Sequence, residues 1–201
     1  MPRFPINSPM NSPMNPPTSR MRASAFVLAA LLPLAQAHGQ ESARDNAGAA
    51  LNAQTQKLST IDQQFLQDAG QASATEIAAS KLALTHAGDR QVREFAQRMI
   101  ADHTKLARNL DVIAKRHGIT APPAANSALI GSLQNLQGAE FDKAYIEKVA
   151  VGGHQKAVEL FTRESESGND TALKAAASKA LPVISHHDAM ARQLAKTKAA
   201  S

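Results

Sequence analysis

Residues 98–110 read RMIADHTKLARNL, and the place of His103 within them decides the fold. His103 follows Met99 by four residues and precedes Leu106 by three, so at 3.6 residues per turn it lies on the apolar side of a helix. Working outward, Val92, Phe95, Met99, His103, Leu106, Leu110 and Ile113 form one stripe that opens after Asp89 and stops at Gly118, the most regular in the sequence. A helix of about 28 residues with an imidazole at its centre is therefore the unit from which the rest is read.

Three further helical segments flank it. The first starts near Ser59, where STID offers an N-cap with an acid three residues on, and runs to His86 before Gly88, with Phe65, Ala69, Ala72, Glu76, Ala79 and Ala83 as its stripe. A third, over about 139–167, carries Val151, His154, Val158 and Phe161, with Phe141, Tyr145 and Val149 on a flanking line, and SGND breaks it. The fourth, over about 170–198, carries Leu173, Ala177, Ala180, Ile184, His187, Ala191 and Leu194, and Pro182 inside it predicts a kink.

The connections sort these helices. Links of a few residues join the first to the second and the third to the fourth, which forces two antiparallel hairpins. Between the second and third lies GITAPPAANSALIGSLQNLQG, residues 118–138, with Pro122-Pro123 and a short helix expected near 129–136. Such a link reaches roughly 45 Å against roughly 42 Å for the long helices, so it can cross the whole bundle. The fold class expected is all-α, a ferritin-like four-helix bundle over residues 58–198 with a long crossover between helices two and three.

The sequence before the bundle reads as targeting. Residues 21–37, MRASAFVLAALLPLAQA, hold Arg22, an apolar run of about a dozen residues and an Ala35-Gln36-Ala37 cleavage pattern. That run is too short for the roughly 20 residues that span a bilayer, so a signal peptide removed after Ala37 is expected, with no transmembrane anchor left in the mature chain. Residues 1–20 are Pro/Asn/Ser-rich with no apolar periodicity; they are expected to be either an extension ahead of a true start at Met21 or a long n-region. Residues 38–57 are a polar leader. An exported protein, periplasmic or associated with the outer membrane, follows.

Composition then excludes one class of function. The full sequence has a formal net charge of +5. Residues 1–37 take Arg3, Arg20 and Arg22 with them and no acid, leaving +2. No basic block or aromatic stacking platform remains, so nucleic acid is not an expected partner; a second copy of the chain or an envelope component is. The absence of cysteine removes any disulfide framework.

Each helix carries one ionisable residue on its apolar stripe: Glu76, His103, His154 and His187. All four fall within about 5 Å of axial rise of their helix midpoints, so they meet at one level whichever way each helix runs. Two readings stand. Neutral imidazole is a common ligand of transition metals, and bundles build such sites from inward side chains, which makes these four a candidate metal set. The other reading is a hydrogen-bonded polar packing layer. Elsewhere, Asp102 lies about 100° round the helix from His103 and is expected to face the rim or an arginine rather than the same ion. Glu147 is either a supporting acid or solvated, and His38, His86 and His117 are expected at the surface.

The DH pair at Asp102-His103, FDKAYIEKVAVGGHQKAVELF at 141–161 and LPVISHHDAMARQL at 181–194 resemble a family of secreted bacterial ferritin-like proteins grouped as a domain of unknown function and often labelled outer membrane proteins. The resemblance covers about residues 59–196. It implies a ferritin-like bundle outside the cytoplasm with Glu76, His103, His154 and His187 at recurrent polar positions, and it implies no established activity. One departure matters. Di-iron carboxylate bundles place a glutamate three residues before a ligating histidine on two helices, whereas Ile100 precedes His103 and Ile184 precedes His187. A dinuclear iron site is therefore not expected. A single zinc, iron or copper ion held by three histidines and Glu76 fits the inventory. A redox enzyme would need an open coordination position and a substrate pocket besides.

Overall fold

The computed structural model describes residues 57–200. The readings of residues 1–20, the signal at 21–37, nearly all of the leader and His38 lie outside the described residues. Among these residues the structure is helical: α1 is Thr60–His86, α2 Arg90–Arg116, α3 Ser127–Gln134, α4 Gly138–Tyr145, α5 Gly152–Ser167 and α6 Thr171–Ala199. A π-helical segment, Ile146–Val151, joins α4 to α5 without a break.

Helix starts follow local chemistry. Ser59 Oγ accepts from the Asp62 N–H, Asp89 accepts from Gln91 and Val92, Asn126 from Leu129, and Asp170 from Leu173; each cap satisfies a donor that the first turn leaves unpaired. Past α2, Gly118 takes φ of 76°, and α6 continues through Pro182.

α1 packs along α2 and α5 along α6, as the short links require, and contacts of α1 with α5 and of α2 with α6 hold the pairs together. The crossover runs beside α1. Its α3 lies against α1, and Pro123 sits so close to Gly70 that a Cβ there would come within 2.4 Å of the proline ring. Nothing in the sequence reading located that contact.

The π-helical segment corrects one reading of the third helix. Two lines seemed to run along it, Phe141, Tyr145 and Val149 on one and Val151, His154, Val158 and Phe161 on the other. The structure buries Phe141, Tyr145, Val149, His154, Ala157 and Phe161, and leaves Val151 and Val158 half-buried. The five-residue step from Val149 to His154 is one wide turn, marked by the Gly152 N–H donating to Glu147 O, five residues back. The two lines are one face, joined by that turn.

Two apolar clusters make up the interior. One gathers Ala79 and Ala83, Val92, Phe95 and Met99, Phe141, Tyr145 and Val149, with Ala191 and Leu194. The other gathers Phe65 and Ala69, Leu110 and Ile113, Ala157 and Phe161, with Leu173, Ala177 and Ile184. Along every long helix the same thing stands between them: Glu76 on α1, His103 on α2, His154 on α5 and His187 on α6. No helix among the described residues is long and apolar enough to cross a membrane.

Candidate metal centre

The interior polar layer is buried. Glu76, His103, His154 and His187 are each 5% exposed or less. Burying polar rings between apolar clusters is costly unless partners replace the water they lose, so the partners define what the layer can do.

His154 turns its Nδ1–H to Ala150 O at 2.7 Å. A carbonyl only accepts, so Nδ1 carries the proton and Nε2 carries the lone pair. That Nε2 lies 3.4 Å from His103 Nε2. His187 donates Nε2–H to Asp102 Oδ2 at 3.0 Å, which leaves its Nδ1 bare and without a partner. His103 Nδ1 also lacks a partner. The three rings face one another with centroids 5.3–5.7 Å apart, and one nitrogen of each lies within 4.8 Å of one nitrogen of both others. This group can hold a metal ion.

Electrostatics suit that role. Burial, then the neighbouring imidazoles, pull His103 down to about 3, and burial pulls His154 down to about 4 despite the raising effect of Ala150 O. His187 is also lowered by burial, against the pull of Asp102. All three are neutral at neutral pH and keep the lone pairs that ligation requires.

Glu76 stands apart from the three nitrogens. Its Oε1 lies 3.7 Å from His154 Nδ1, the edge of the ring turned away from His103, and its Oε2 has no partner. Burial pushes its carboxyl well above the usual carboxylate range. The sequence makes room for it: a Cβ on Gly153 would meet Glu76 Oε1 at 2.5 Å, so the carboxyl occupies the space that a side chain there would fill.

Of the four residues singled out from sequence, the structure therefore brings three histidines into one group and sets Glu76 beside it. Asp102 is half-buried at the edge of the layer, and from there it reaches across from α2 to hold His187 on α6. Its place one residue before His103, turned toward a neighbouring helix, was a signal that a single-helix view does not decode. Glu147 is exposed. His86 and His117 are half-buried rather than on the surface: His86 faces Gln134 O at 3.2 Å and packs on Phe141, and His117 lies 3.2 Å from Asp170 Oδ2.

Residues 47–194 match the family described as Domain of unknown function (DUF4142). The chain belongs to that family. A crystal structure of a DUF305 fragment from Deinococcus radiodurans is similar to this DUF4142 chain with a TM-score of 0.60 at 15% identity, covering 73% of this chain and 100% of that one. At that identity the likeness is one of helical fold alone. No curated protein matches the chain.

Proposed function

We propose that this protein is an exported, ferritin-like four-helix bundle that binds one transition-metal ion, zinc, iron or copper, through His103, His154 and His187, with Glu76 as a neighbouring acid. The observation that carries the reading is the set of three neutral, buried ring nitrogens within 4.8 Å of one another. Two of these rings are fixed by a hydrogen bond from one nitrogen to an oxygen acceptor, which leaves the other nitrogen with its lone pair, the arrangement by which proteins orient ligating histidines. The hairpin pairs and the crossover between α2 and α4 support the ferritin-like reading, and the pattern of residues 21–37 supports export to the periplasm or outer membrane.

The test is the metal content of the purified protein after reconstitution with zinc, iron and copper, beside His103→Gln/His154→Gln. Near-stoichiometric metal, lost in the variant while the helical signal persists, is the expected result. Metal should also raise stability by RT ln(1 + [L]/Kd), about 2.7 kcal/mol at a hundredfold excess over Kd.

One observation favours a second reading. The 3.4 Å separation of His103 Nε2 and His154 Nε2 is within reach of a direct hydrogen bond, which suits a polar layer that specifies packing in a structural or stress-related envelope module. On that reading metal content is nil and stability is indifferent to added metal.

A further inference from the structure

The polar layer is buried but not sealed. A cleft of about 430 Å³ between α1, the crossover and α5 reaches inward to both His103 and Glu76. Lys148, Lys156 and Arg163 stand along it, all exposed, about two turns apart, so that they border one flank of the π-helical segment and α5. None of the three forms a salt bridge among the described residues. Lys148 reaches only Ser132 Oγ, at 3.3 Å. The acids on the same walls are Asp68, which accepts from Gln64, Glu159 and, at the inner end, Glu76.

Three imidazoles do not complete a tetrahedral ion, and a site with three protein ligands keeps a fourth position for an outside molecule. Glu76 approaches the His154 edge remote from His103, and the cleft, which both Glu76 and His103 line, reaches His103 beside that carboxyl. Cations without paired acids at the mouth of a cleft raise the local concentration of anions, and the volume is in the range of small-molecule sites.

We infer that the cleft admits a small oxygen anion, a carboxylate or inorganic oxyanion, to the open position of the ion held by His103, His154 and His187, with Lys148, Lys156 and Arg163 gathering it. This rests on the metal-binding reading and names the ligand class of that site.

The experiment uses the full chain loaded with cobalt(II), whose visible bands report its ligands. The first arm measures cobalt content and the dependence of those bands on His103 and His187, using His→Gln variants. If cobalt is not held by these histidines, the metal reading fails and the inference falls with it. If cobalt is held, acetate and phosphate are titrated in at low ionic strength. Saturable band shifts are expected, and Lys156→Glu/Arg163→Glu should weaken them about tenfold, with cobalt content and the binding of neutral imidazole unchanged. Bands that stay fixed up to about 0.1 M anion, or anion affinities equal in wild type and variant, would overturn the inference while leaving the metal reading in place.

Discussion

Asp102 stands at the edge of the polar layer, yet it decides which nitrogen of His187 is bare. By accepting Nε2–H it fixes the tautomer and the ring plane, and so leaves Nδ1 with its lone pair. Asp102→Asn keeps the shape and an acceptor oxygen but removes the charge. Its metal affinity is expected to fall about 10- to 100-fold in competition with a chelator, with the metal-free Tm nearly unchanged; equal affinity would remove Asp102 from the site. The three histidines were legible in sequence because each sits among apolar residues at helical spacing, where an imidazole is conspicuous. Asp102 was not, since its partner lies 85 residues away on α6, and only the pairing of helices reveals what a flank residue faces.

Among the elements, the long helices were readable because stripes such as that of α2, from Val92 to Ile113, keep an unbroken 3.6-residue period. The π-helical segment was not, because one wide turn leaves no compositional mark and shows only as a stripe that changes line between Val149 and His154. The crossover's length was also readable, but not its seat. Pro123 against Gly70 supplies that seat, and it makes a sign-dependent test. Gly70→Ala gains about 1 kcal/mol of helix propensity but sets a methyl 2.4 Å from a rigid ring, an overpacking cost of about 1–3 kcal/mol. Net destabilisation in urea is expected, relieved by Pro123→Ala in the double variant. A stabilised single variant would mean that the crossover is not held at this point.

At the scale of the whole molecule, the ends are tied by charge as the middle is by rings. Asp62 near the start of α1 accepts from the backbone N–H groups of Asn169 and Asp170 in the α5–α6 turn. Glu164 on α5 is buried beside it, and burial, then the charge of Asp62 and a hydrogen bond with it, raise its carboxyl to about 7. Asp170 adds to that shift, while Lys174 on α6 opposes it. The unfolded chain releases this proton near the ordinary value of 4.5 and the fold only near 7, so the group's contribution to stability falls as pH rises through that window and is fully lost above it. Asp62, held below 3.8, acts only under that window, and the buried histidines pull the other way, so the clean quantity is a difference. The Tm of Glu164→Gln minus that of wild type is expected to grow from pH 4.5 to 7 and then level off; a difference flat across that range would contradict a carboxyl held neutral here. The widened turn at Ile146–Val151 has a consequence for descent. It amounts to one residue inserted into a helix, and at 3.6 residues per turn one residue is about 100° of rotation. A relative that lacked it would carry the equivalent of His154 round to the flank while its α4 still packed correctly, so inheritance of the histidine group should track inheritance of that single extra residue more closely than overall resemblance.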